Sequence, residues 1–326
     1  MATWAGADLA VSVTLAKGLG LIGSAWDLQA LDSALQTAPS KLPRFESNNK
    51  LPLGVGFLPI FIELEATLRV LEKHQPAVVW LFAAREIDDY ALWARGVREK
   101  CPGTQIWVQV GSVEAALAVV RGCGPEVLCV QGSDAGGHGF ARAAGVVSSL
   151  PEVADALRAE GFGGVGLVAA GGIVDGSGVA AALALGAQGV VMGTRFLAAE
   201  EVVVEERYRK AVLAARDGGR STVRCTLFGE LSGPSVWPGA YDGRARVSES
   251  FTDHEKGMAI EEIRRLHADA VKNEDKGFGV DGKGTAAIWA GTGVGLVKEK
   301  QPARVVVEEV RRGAVEATEL IRSRLS

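Results

Sequence analysis

Between residues 19 and 199 the chain alternates short apolar runs with segments of helical periodicity, and this alternation constrains the fold more than any other feature. The runs Leu19–Ile22, Leu53–Leu58, Val78–Phe82, Ile106–Val110, Val127–Val130, Val165–Ala169 and Val190–Phe196 read as strands buried on both faces. Ser149 and Glu152 form a capping-box pattern before Val153, Ala156 and Leu157, which are spaced for one helix face. Strands that alternate with helices pair in parallel through right-handed crossovers, so the architecture is either an open doubly wound sheet or a closed (β/α)8 barrel. Both place ligands at the carboxyl ends of the strands.

Glycine supports that placement. The chain has 42 glycines in 326 residues, nearly twice the usual share of about 7%. They concentrate just after strands, at Gly132, Gly136, Gly137 and Gly139, at Gly171 and Gly172, and at Gly193. There a backbone must turn sharply or approach a ligand closely. From about Glu200 the repeat gives way to a long helix, an irregular stretch through Pro234, Pro238 and Gly243, and a helix near Asp253 to Asp275. The Gly277–Gly284 stretch follows, expected as solvent-facing chain or as a lid over the site. The expected organisation is a barrel body over 1–199, a mostly helical insertion over 200–285, and a return to the barrel over 286–326 that ends in a helix from Ala303 to Arg324.

The net charge of −4 provides no basic footprint, which excludes nucleic acid and anionic membrane as expected main partners and favours a small molecule. Cys101, Cys123, Cys129 and Cys225 have neither zinc-ligand nor disulfide-framework spacing, so reduced thiols, a cytoplasmic location and no metal are expected. Two phosphate-loop patterns fail on context. Gly18-Leu-Gly20-Leu-Ile-Gly23 follows a helix and precedes a strand, the reverse of a dinucleotide fingerprint, and reads as a helix stop. Gly277–Gly284 carries Gly284 where a P-loop needs Ser or Thr.

Three strand-end motifs remain. Gly171-Gly172 ends a buried strand ahead of a small-residue helix, where exposed backbone amides suit a phosphate. Met192-Gly193-Thr194 ends the next strand, and the last two strand-end loops of a barrel commonly share one phosphate. The third, Gln131-Gly-Ser-Asp134-Ala-Gly136-Gly137-His138-Gly139, puts a histidine on the same face, where an imidazole can act as base or acid. His74, His254 and His267 read as structural helix residues.

These motifs, with Ile288-Trp-Ala-Gly-Thr-Gly-Val-Gly-Leu296, make the chain similar to the nitronate monooxygenase (2-nitropropane dioxygenase) family and its relative, the flavin-dependent enoyl-ACP reductase. The resemblance runs from Gly6-Ala-Asp-Leu-Ala through the last helix. It implies a TIM barrel holding FMN at the strand ends. Gly171, Gly172, Met192, Gly193 and Thr194 would cradle the phosphate, Gln131, Ala135 and Gly136 would line the flavin, and Gln109 would lie near the ring system. His138 matches the family's catalytic histidine, which deprotonates nitroalkanes or positions nitronates. The implied reaction consumes O2 and turns a nitronate into a carbonyl compound plus nitrite or nitrate, with a possible homodimer as the assembly. Two alternatives stay open: an NAD(P)H-dependent alkene reductase, and a flavin-less barrel serving as a binding scaffold. The chain begins just beyond where the family's first strand should end, so an open seam in the barrel is expected. Gly54-Val-Gly56-Phe57 places glycine where many members carry Asn.

Overall fold

The computed structural model describes residues 4–23, 27–46, 49–280 and 282–326. Helix α1 (Ala7–Leu15) leads into β1 (Leu21–Gly23), α2 (Leu28–Thr37), β2 (Leu51–Phe57), α3 (Leu64–His74), β3 (Pro76–Leu81), α4 (Asp89–Lys100) and β4 (Gln105–Val110). The chain continues through α5 (Val113–Cys123), β5 (Val127–Gln131), β6 (Gly137–Phe140), α6 (Val146–Ala159), β7 (Gly166–Ala170), α7 (Gly176–Ala184) and β8 (Gly189–Val191). Beyond these lie α8 (Glu206–Ala214), α9 (Gly218–Ser221), β9 (Thr222–Cys225), β10 (Tyr241–Arg246), α10 (Glu249–Glu255), α11 (Ile260–Ala270) and α12 (Ala303–Leu325).

Seven strands pair in parallel in the order β1-β2-β3-β4-β5-β7-β8, a curled sheet of the TIM-barrel kind in which each strand falls on one of the apolar runs marked in the sequence. Helices cover its outer face, and the core between them includes Leu51, Leu53, Leu71, Leu81, Ile106, Leu128 and Leu150, all fully buried. Each such side chain stabilises the fold by about 1.5–3 kcal/mol relative to exposure. Helix starts are fixed locally: Asp27, Ser112 and Asp175 each accept a bond from an amide of the first turn of α2, α5 and α7. Strands β8 and β1 do not pair with each other, so the described residues leave the expected open seam, flanked by α1 and α12. Among the described residues no helix is long and apolar enough to cross a membrane.

The structure corrects several sequence-based expectations. Helix α6 begins at Val146, capped by the extended Gly145, and places Ser149 inside the helix. Burying Val146, Leu150, Val153 and Leu157 on one face outweighs the local capping pattern, and the buried Ser149 hydroxyl has no partner among the described residues. The run Val190–Phe196 is strand only to Val191, because Thr194–Ala198 tightens into a 3-10 turn. The helix near 253–275 is two helices broken at Gly257, whose φ is +85°. The expected long helix after Glu200 is the nine-residue α8. Two strands of the insertion, β9 and β10, join β6 of the barrel body in an antiparallel sheet, β6-β10-β9, that the apolar pattern did not reveal. Its strands are short and rich in glycine and arginine, so tertiary pairing rather than local hydrophobicity makes them.

Candidate active site

The sheet encloses a cavity of about 1140 Å3 that opens at the strand carboxyl ends and along the seam. Its floor is apolar: Trp80 on β3 lies opposite Trp107 on β4, and Val168 on β7 faces the same space. Gln109, at the end of β4, and Gln131, at the end of β5, are the buried polar groups of this wall. The Gln131 amide donates to the His138 carbonyl oxygen at 3.3 Å, which ties the strand end to β6. Toward the seam the wall is Leu19, Leu21, Val190, Val310 and Val315. The described residues of the Gly277–Gly284 stretch do not line the cavity.

Gly171 and Gly172 end β7 with φ of +113° and +74°, conformations that side-chain-bearing residues rarely adopt. A Cβ at Gly171 would lie 2.9 Å from the Gly132 carbonyl oxygen and 3.1 Å from the Ala135 nitrogen. Met192, Gly193 and Thr194 follow β8 directly, so two strand-end turns meet at one edge of the cavity. Among the described residues the amides of Gly171, Gly172, Gly193 and Thr194 donate to no protein acceptor. Unpaired amides at adjacent strand ends suit a phosphate, and the apolar floor beside them suits a planar ring system. The residues present therefore fit FMN.

The strap after the insertion closes this edge. Gly291 N–H donates to the Thr194 hydroxyl at 3.0 Å, while Thr292 N–H and hydroxyl donate to the Asp134 carbonyl and carboxylate, each at 3.0 Å. Gly291 and Gly293 thereby enter the cavity wall. The sequence reading left them out of the site, although their spacing in Gly-Thr-Gly-Val-Gly was the available signal. Trp80 and Trp107 were also missed, because an aromatic in an apolar run gives no sign of which face it occupies.

Gln109, Gln131, Ala135, Gly136, Gly171, Gly172, Met192, Gly193 and Thr194 all line the one cavity. His138 does not: it lies two residues past Gly136, on β6 opposite Gly243 of β10, outside the cavity wall. Its ring stacks on Trp237 with centroids 3.9 Å apart and planes at 7°, and Trp289 lies 4.6 Å away at 45°. Burial, reinforced by the Arg224 charge, pushes its pKa down to about 4, so the imidazole is neutral near pH 7. Arg224 is itself fixed by Asp242 and by the carbonyl oxygens of Ser133 and Phe140. The remaining histidines have structural settings: His74 Nε2 is 2.6 Å from Asp32, His267 Nδ1 is 3.2 Å from Thr285, and His254 is exposed on α10. The four cysteines are unpaired.

The family model described as nitronate monooxygenase matches residues 70–312. The nitronate monooxygenase npaC of Metarhizium robertsii is 40% identical over 95% of this chain and 88% of its own length. A nitronate monooxygenase of Neurospora crassa is 35% identical over 98% of this chain and 88% of its own. Among solved structures, FabK from Thermotoga maritima superposes with a TM-score of 0.75 at 24% identity, covering 99% of this chain and 93% of that one. The nitroalkane oxidase of Streptomyces ansochromogenes gives 0.72 at 24% identity, over 100% and 96%.

Proposed function

The chain belongs to the nitronate monooxygenase family, and on that premise we propose that it is an FMN-dependent oxidoreductase that converts alkyl nitronates, with O2, into carbonyl compounds and nitrite or nitrate. One observation carries the reading: the free amides of Gly171, Gly172, Gly193 and Thr194 converge at the rim of a cavity with an apolar, tryptophan-bearing floor. Those four residues, with Met192, would hold the phosphate, and Gln109, Gln131, Ala135 and Gly136 would border the ring system. When bound, FMN would supply the one-electron and oxygen chemistry that no side chain can provide.

The protein's share is binding, orientation and proton control. Gln109 and Gln131 are neutral and buried, so they orient polar edges without adding charge to the cavity. His138, two residues from the wall, is neutral at physiological pH and has one ring N–H to donate. A base whose pKa is about 4 draws protons weakly from a carbon acid. The reading therefore favours a preformed, anionic nitronate that accepts a hydrogen bond from the imidazole.

The test is the purified protein with added FMN, assayed for oxygen uptake on propionate 3-nitronate and on its neutral nitroalkane. Yellow protein with faster turnover of the nitronate is expected, and His138→Ala, which removes one hydrogen bond to an anion worth about 1.5–3 kcal/mol, should lose roughly 10- to 150-fold in nitronate turnover. Protein that takes up no FMN would overturn the proposal. So would rapid bleaching of the flavin by NAD(P)H without nitronate turnover, which marks an alkene reductase.

A further inference from the structure

His138, half-buried, is held differently from the buried histidines His74 and His267. His74 and His267 each have a polar side-chain partner, whereas neither ring nitrogen of His138 has a hydrogen-bond partner among the described residues. Its faces are covered instead, by the parallel indole of Trp237 and the tilted indole of Trp289. The two indoles come from distant segments. Trp237 lies in the loop before β10, braced edge-on by Phe61 at 5.2 Å and by Tyr241 at 5.8 Å. Trp289 lies in the strap, bridged to Ala245 of β10. One glycine makes room: a Cβ at Gly243 would collide with the Trp289 ring.

We infer that Trp237 is a positioning residue that, with Trp289, clamps the His138 imidazole in one ring plane and in its neutral form. The inference rests on the reading of His138 as the group that meets the nitronate. An indole stacked on the ring excludes water from a face of the imidazole and so removes the solvation that a cation needs. The charges nearby do not restore it. Arg224 on β9 is a cation tied to Asp242, Arg244 on β10 donates to the Ser133 carbonyl and Thr222, and Glu230 beside Gly229 is engaged with Arg264. Cation–π attraction from the indoles favours the imidazolium. Desolvation by burial and the Arg224 charge push the other way and lower its pKa to about 4. A neutral ring in a fixed plane presents its N–H to an anionic ligand in one direction.

The experiment is a histidine NMR titration of the full chain, with His138→Gln to assign the signal, alongside pH profiles of propionate 3-nitronate turnover. In the parent, His138 should titrate near 4, and in Trp237→Ala the midpoint should climb towards the ordinary 6.5. Turnover by Trp237→Ala should fall roughly 10- to 100-fold, mainly in kcat, with the acid limb of the profile following the NMR midpoint. Trp237→Phe keeps a flat ring in the stack and should restore both midpoint and rate. An unchanged midpoint in Trp237→Ala, or a Phe variant that behaves like the Ala variant, would overturn the clamp. Full turnover by His138→Gln would be a different failure, removing the role given to His138 while leaving the titration result to stand.

Discussion

Replacing Gly171 with alanine strikes both the fold and the proposed phosphate cradle. The backbone there has φ of +113°, and holding an alanine in so sparse a region costs about 1–3 kcal/mol. The added Cβ would sit 2.9 Å from the Gly132 carbonyl oxygen and 3.1 Å from the Ala135 nitrogen. Both are backbone atoms held by β5 and the turn after it, so the strain cannot be relieved by rotating a side chain, and overpacking adds about 1–3 kcal/mol. Together the variant should lose about 2–6 kcal/mol of stability, measured by urea unfolding. A ligand that binds only the folded state raises Tm with its concentration. FMN should do so for the parent and much less for Gly171→Ala. Gly122 is the control: it lies in α5 with nothing within 4 Å of its Cβ position, so Gly122→Ala should be neutral or stabilising by up to about 1 kcal/mol. If Gly171→Ala matched Gly122→Ala in urea and in its response to FMN, both the strain argument and the placement of the phosphate would be refuted.

Other substitutions separate support of the site from support of the fold. Thr194→Val removes the acceptor of the Gly291 amide and should weaken FMN binding roughly 10-fold or more while costing about 1–3 kcal/mol, readable by flavin fluorescence titration. Arg209 is buried and donates to the carbonyl oxygens of Leu197, Ala199 and Val202, so Arg209→Met should lower Tm through about 2–4 kcal/mol of orphaned carbonyl groups. Unchanged thermal unfolding would contradict that count. His138 supplies a pH dependence: its folded pKa of about 4 lies below the unfolded value of 6.5, so the unfolded chain binds more protons between the two. Its contribution is intact above pH 6.5 and lost as the pH falls to 4, about 3 kcal/mol in all. His138→Gln should flatten that part of the stability profile, and equal slopes for the two proteins would show that the imidazole is not buried in its neutral form.

Local periodicity was enough to read the barrel, because parallel strands covered on both faces must be continuous apolar runs and the helices between them carry their own caps. The turn glycines after β5, β7 and β8 were readable for the same reason: each position follows a strand end, and φ values such as those of Gly171 and Gly172 demand glycine. Sequence therefore determined the order of the strands and the end of the barrel at which nine of the ten proposed site residues gather. It could not determine the second sheet. Gly137–Phe140, Thr222–Cys225 and Tyr241–Arg246 are too short and too poor in large apolar residues to read as strands, and become strands by pairing with one another, β10 with β9 about twenty residues away and with β6 about a hundred. That pairing sets His138 opposite Gly243, two residues outside the cavity wall, and leaves the space in which Trp237 and Trp289 close on its ring. The chemical state of the histidine is thus a property of tertiary structure, because desolvation depends on what covers a group in space and not on its neighbours along the chain.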